Sequence, residues 1–169
     1  MKNGIEIIEV KAMNQTVLNN LSELLIAVVE DGASIGFLPP LILEDAVTYW
    51  QEVVQPGVHL WIAVNDGRMI GTVQLHLALK QNAGHRAEIA KLMVHPLGRR
   101  KGIARLLMQI AEEQAKEAGR SLLVLDTRSG DPSNHLYRST GYIEAGRIPN
   151  YARSNDGKLH DTIIYFKQI

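Results

Sequence analysis

Ile89-Ala90-Lys91-Leu92-Met93-Val94-His95-Pro96-Leu97-Gly98-Arg99-Arg100-Lys101-Gly102-Ile103-Ala104 sets the reading of this chain. The first six residues read as an apolar strand and His95-Pro96 as a breaker. An amphipathic helix then begins, with Ile103, Leu106, Leu107, Ile110 and Ala118 on one stripe. A strand, a basic glycine-containing loop and a helix start together form an anion cradle. Free backbone N–H groups point outward, the helix dipole favours negative charge, and Arg99, Arg100 and Lys101 surround the mouth. Gly102 adopts backbone angles closed to other residues and has no Cβ to keep a phosphate away. That chemistry suits a polyphosphate ligand, because cations crowded at the positive end of a helix are unfavourable without an anion.

The bulk numbers narrow the classes. At 169 residues and 46% hydrophobic, the chain is expected to form one domain, 1–169, with a sizeable core. Eighteen basic and eighteen acidic residues cancel, which argues against a general nucleic-acid binder and makes the basic loop a local device. No cysteine is present to carry an acyl group, form a disulfide or bind a metal as thiolate. His59, His76, His85, His95 and His135 show no ligand spacing, so no metal is expected. The apolar run Leu24 to Val29 is too short to span a bilayer, and Met1 to Glu6 lacks the blocks of a signal peptide. A cytoplasmic protein without membrane or nucleic-acid partners, monomeric or homodimeric, is the expectation.

Outward from the quoted stretch, strands are expected at Ile5–Val10, Leu60–Val64, Met69–Leu79, Arg86–Val94, Ser121–Thr127, Tyr142–Arg147 and Thr162–Lys167. Helices are expected at Gln15–Glu30, Leu43–Val54, from Ile103 to the glycine stop at Gly119, and at Asp131–Thr140. Asn65-Asp66-Gly67-Arg68 is a hairpin turn. This order predicts an α+β (mixed α/β) fold, a mixed sheet with helices packed on it.

The loop in its strand–helix context, with Leu136-Tyr137-Arg138-Ser139-Thr140-Gly141-Tyr142 one β-α unit later, resembles the GNAT superfamily of acyl-CoA N-acyltransferases. The resemblance runs from Ile5 to Lys167. Within the superfamily, the chain resembles the tabtoxin-resistance acetyltransferases. That narrower likeness lies in residues 31–37, Arg86-Ala87-Glu88 with Lys91-Leu92-Met93-Val94, Leu125-Asp126-Thr127, and tail segments at 148–151, 156–160 and 164–167. It implies a mostly antiparallel twisted sheet of about seven strands with four helices, strands 4 and 5 being parallel and splayed. It also implies acetyl-CoA as co-substrate and a small amine as acceptor. Arg99, Arg100, Lys101, Gly102, Ile103 and Ala104 would hold the diphosphate, and the backbone of Leu92, Met93 and Val94 would pair with the pantetheine arm.

Acetyl transfer to an amine needs a deprotonated nucleophile and a proton for the leaving thiolate. Glu88 and Asp126 are acids within or at the end of apolar strands, where a carboxylate is costly unless used or paired. They match the family pattern as candidate bases, with a structural ion pair of Glu88 to Arg86 or Lys91 as the alternative. Tyr137 is the candidate acid, or an aromatic anchor for its helix. Many family members carry an asparagine two helical turns before this tyrosine. Gly130 stands there instead, and Asn134 is the nearer candidate for pantetheine, or a plain helix residue. Acceptor recognition is expected from Ser34 and Phe37 in a glycine-flanked loop and from Tyr151, Arg153 and His160 in the tail. The acceptor is expected to be amino-acid-like or toxin- or antibiotic-like. The alternatives are a protein or peptide acetyltransferase and a non-catalytic acyl-CoA sensor.

Overall fold

A computed structural model describes residues 4–169. Its strands are β1 (Ile5–Glu9), β2 (Val58–Asn65), β3 (Arg68–Leu77), β4 (Arg86–Val94), β5 (Leu122–Arg128), β6 (Ile143–Arg153) and β7 (Leu159–Gln168). The α-helices are α1 (Gln15–Glu30), α2 (Leu43–Gln51), α3 (Ile103–Glu117) and α4 (Ser133–Ser139). One seven-stranded sheet has the order β1-β2-β3-β4-β5-β7-β6. Every neighbouring pair is antiparallel except β4 and β5, which run parallel. The expected mixed fold is therefore the observed one.

Strand alternation puts one set of side chains on each face of this sheet. Trp61, Val73, Leu75, Ala87, Ile89, Leu123 and Leu125 form one core with Ile103, Leu107, Met108, Ala111 and Ala115 of α3 and Tyr137 of α4. Leu60, Ile62 and Met93 face the other way and pack with Leu21, Leu25, Val28, Ala46 and Trp50 of α1 and α2. Asn14 caps α1 by accepting a hydrogen bond from the Val17 amide. The helix ends in a Schellman motif: Gly32, at φ +90°, donates to Val29, and Ala33 to Val28. That turn aims the chain into the 31–37 loop.

One irregularity shapes the sheet. Thr72 of β3 pairs with Met93 and Gln74 with Ala90, so Lys91 and Leu92 together oppose Val73. This is a bulge, and Lys91 takes the left-handed conformation at φ +52°. Downstream of it the alternation flips, so Met93 rather than Leu92 enters the α1–α2 core. The bulge bends β4 away from β5. Their pairing covers only Arg86–Glu88 against Leu122–Val124. β5 continues on β7 as far as Arg128, and β4 on β3 as far as Val94. A wedge opens between the two parallel strands, with its apex at Glu88 and Val124.

Several expectations need correction. β6 runs on to Arg153 and β7 begins at Leu159, forming a longer hairpin than expected, with a register irregularity between Ile148 and Ala152. The buried stripe of α3 is Ile103, Leu107, Met108, Ala111 and Ala115, while Leu106 is exposed. α3 packs so closely on β3 that a Cβ on Gly71 would sit 3.1 Å from Ile103 and 3.2 Å from Leu107. Gly71, with no side chain, makes room for the large Ile103 and Leu107, and Leu106 falls off the arc that Ile103, Leu107, Ala111 and Ala115 trace at four-residue spacing.

Candidate active site

Glu88 and Asp126 share the sheet face opposite Ala87, Ile89 and Leu125, so both line the wedge. Asp126 Oδ2 accepts a hydrogen bond from the Thr162 hydroxyl at 2.9 Å. Glu88 keeps an exposed edge, yet surrounding protein raises its carboxyl above the ordinary value, with the Asp126 charge adding to the rise. Lys91 and Arg86 pull it partly back. Burial lowers the Lys91 ammonium, which the same two carboxylates prop up. A carboxyl raised in this way is a better proton acceptor than a free one.

Lys91 also points toward the 31–37 loop, its Nζ donating to the Ile35 carbonyl at 2.6 Å. Arg128 holds the loop from β5. It donates to Gly32 O at 3.0 Å, to Ser154 Oγ at 2.8 Å and to Asp131 Oδ1 at 2.9 Å. A third tether comes from the basic loop, where Arg99 pairs with Asp31 at 2.6 Å. This segment is thus pinned by cations from β4, β5 and the start of α3. Between it and the β6–β7 turn lies a cavity of about 260 Å³. Its lining includes Ser34, Phe37, Arg128, Arg153, Ser154 and Asn155, and no acid.

Past the wedge, the loop takes the conformation the sequence implies. Arg100 and Gly102 are both left-handed, at φ +60° and +79°. No side chain caps α3, so the amides at its start remain open. Arg100 and Lys101 are exposed and have no acidic partner among the described residues. Nothing lies within 4 Å of where a Gly102 Cβ would stand. The donor set and the open space fit a diphosphate.

The family model described as acetyltransferase (GNAT) family matches residues 37–142. The chain belongs to this family. Salmonella typhimurium aminoalkylphosphonate N-acetyltransferase is 32% identical over 95 residues, covering 55% of this chain and 62% of that protein. The IAA acetyltransferase of Azospirillum brasilense is 28% identical over 102 residues, covering 60% of this chain and 65% of the relative. The matches thus span less than two thirds of these relatives' length. A GNAT acetyltransferase from Streptococcus pneumoniae superposes with TM-score 0.79 at 19% identity, covering 97% of this chain and 100% of that one. The Salmonella typhimurium protein yncA, solved with its cofactor acetyl-CoA, gives 0.80 at 17% identity over 98% and 94%. At such identities these structures speak for the GNAT fold alone.

The remaining residues singled out from sequence divide. Tyr137 is buried at 6% exposure against Tyr142 and Tyr165, with ring centroids at 6.0 and 5.9 Å. Its hydroxyl has no protein partner among the described residues. Burial, then the charges of Asp126 and Asp131, push the phenol well above its ordinary pKa and keep it protonated. Asn134 is held from within: its amide donates to Arg128 O and Asp131 O and accepts from Tyr165 Oη at 2.8 Å. It ties the β5–α4 turn together with both amide hydrogens, and any contact to a pantetheine arm would fall to the second lone pair of Oδ1. Ser34 and Phe37 line the cavity, whereas His160, 3.7 Å from Asp156, lies in the adjoining open depression. Tyr151 is 58% exposed on β6 and lines neither. Sequence reading missed a polar chain on the same face as Glu88, formed by Tyr49, Gln74 and His76. Its only signal was two polar residues alternating with Val73 and Leu75 in β3.

Proposed function

We propose that this GNAT protein transfers the acetyl group of acetyl-CoA to the amine of a small acceptor that also bears an anionic group. The observation that carries the reading is the wedge between β4 and β5. It leaves the β4 backbone beyond Glu88 unpaired on that side, leads to the open amides of residues 99–104, and has two carboxylates at its apex. In this reading the backbone of Leu92, Met93 and Val94 pairs with the pantetheine amides, as an added strand would. Gly102, Ile103 and Ala104 turn their amides to the diphosphate, flanked by Arg99, Arg100 and Lys101.

Glu88, with Asp126 beside it, takes the proton of the attacking amine. Nitrogen bonds to the thioester carbon, the C–S bond breaks, and Tyr137 or solvent protonates the departing thiolate. With no cysteine in the chain, direct attack in a ternary complex is the economical route. The cavity, with Arg153 free of an acidic partner among the described residues and Arg128 paired to Asp131, offers the acceptor's anionic end positive charge chiefly from Arg153. Arg128 lies two residues beyond Asp126 on the same strand face, roughly 7 Å along β5. An amine and an anionic group a few bonds apart span that interval. The aminoalkylphosphonate named for one relative has this form, as does an amino-acid-like toxin or antibiotic, which would make the protein a detoxifying enzyme of the cytoplasm.

Thiol release from acetyl-CoA tests the reading with a paired panel. 2-Aminoethylphosphonate and β-alanine are set against ethylamine and ethanolamine. Faster turnover of the anionic members is expected. Equal rates across the pairs would remove the anionic-acceptor element, and no turnover with retained acetyl-CoA binding would favour a sensor.

A further inference from the structure

Gln74 is a polar side chain at 2% exposure, a burial that is costly unless the amide is fully partnered. Its Nε2 donates to the Tyr49 hydroxyl at 2.9 Å, and its Oε1 lies 2.8 Å from His76 Nε2. An amide oxygen only accepts, so His76 Nε2 carries the hydrogen and Nδ1 carries the lone pair. Nδ1 has no protein donor among the described residues. His76 stands directly opposite Glu88 in the β3–β4 register, on the same face. No ion pair or hydrogen bond joins the two side chains directly, so a proton passing between these cross-strand neighbours needs a water as carrier. The charged groups around the imidazole are Glu88 and Lys91 on β4 and, farther across the wedge, Asp126 on β5, with the Tyr49 phenol on α2.

We propose that His76 is a positioning residue for the transfer: its Nδ1, fixed in the accepting tautomer by Gln74, receives through one water the proton that Glu88 takes from the amine. This inference rests on the acetyl-transfer reading above. The proton passes from the amine nitrogen to the Glu88 carboxylate, then through water to Nδ1. The imidazolium so formed keeps its Nε2–H on Gln74 Oε1 and releases the Nδ1 proton to solvent. Burial and Lys91 lower the basicity of the imidazole, so it passes the proton on rather than holding it. The buried Tyr49–Gln74 pair is thereby given a purpose, since two apolar side chains would fill the same volume without the cost of burying polar atoms.

The test is log kcat against pH for the wild type, His76→Gln and His76→Asn, with acetyl-CoA and the faster of 2-aminoethylphosphonate and β-alanine. His76→Gln keeps a donor toward Gln74 but loses the Nδ1 lone pair, whereas the shorter His76→Asn places an amide near the Nδ1 position that accepts a hydrogen bond but is too weakly basic to take the proton. Two groups must be deprotonated in the wild type, so its acid limb should approach a slope of two. In His76→Gln the slope should fall to one and kcat should drop by about tenfold or more, with KM for acetyl-CoA unchanged. His76→Asn should lose rate as His76→Gln does and also keep a slope of one, since neither amide can take up the proton. A retained slope of two, or kcat within twofold of wild type, overturns the inference. If His76→Gln does not bind acetyl-CoA, the slope in His76→Asn decides by the same criterion. A wild type inert toward the whole panel overturns both readings, whereas an active wild type with an unaltered variant profile overturns this one alone.

Discussion

Gly102→Ala separates backbone strain from ligand contact. At φ +79° an alanine pays the left-handed penalty, about 1–2 kcal/mol, and nothing within 4 Å adds a clash. In a domain of this size that lowers Tm by roughly 2–8 °C. Gly67, at φ +74° in the β2–β3 turn and also with nothing within 4 Å, is a matched control. Gly67→Ala should cost the same stability. Acetyl-CoA affinity should part them, because the new methyl at 102 stands where the diphosphate approaches the α3 amides. Losing charge-assisted hydrogen bonds there costs about 1.5–3 kcal/mol, or roughly tenfold to a hundredfold in Kd. Thermal unfolding and calorimetric titration with acetyl-CoA measure both quantities. If the two variants bind acetyl-CoA equally well, the cradle at residues 99–104 is not where the diphosphate sits.

Glu88→Gln should cut turnover by about a hundredfold at neutral pH while leaving acetyl-CoA binding intact, as steady-state rates and calorimetry will read. The folded Glu88 carboxyl is raised, so its share of stability is present below the ordinary glutamate value and is lost as pH rises through the raised one. Glu88→Gln should therefore melt at or above wild type at pH 7, with the difference vanishing below about pH 4. Tyr137→Phe keeps the ring packing against Tyr142 and Tyr165, so Tm should shift little while kcat falls about tenfold; a wild-type rate would assign the tyrosine to packing. Arg153→Gln should raise KM for 2-aminoethylphosphonate and leave KM for ethylamine unchanged in the thiol-release assay.

The basic loop and most elements were legible because each rests on local chemistry: a proline breaker, a glycine at positive φ, alternating apolar residues. Less legible were features in which tertiary contact overrode the local pattern. The bulge at Lys91 places a lysine in a left-handed conformation that no residue type there announces, yet it splays β4 from β5. The β6–β7 hairpin is longer than expected because much of β6 is exposed and lacks an apolar alternation to mark it. Leu106 fell off the buried stripe because the helix turns the four-residue series Ile103, Leu107, Ala111 and Ala115 to the sheet, and the three-residue step from Ile103 lands outside it. In the candidate site, Glu88, Asp126 and Tyr137 were singled out through a family resemblance, and the fold brings the first two to one wedge. Nothing local announced the three internal hydrogen bonds of Asn134. Gln74 was overlooked and His76 weighed only as a metal ligand, since a polar pair in a strand gives no hint that its partner is a tyrosine on a distant helix.

Amide chemical-shift mapping on isotope-labelled protein tests the central claim most directly. Titration with coenzyme A should move the amides of residues 100–104 and 92–94 most, with those of the β6–β7 turn changing little. Saturation that leaves residues 92–94 and 100–104 unshifted would contradict the account.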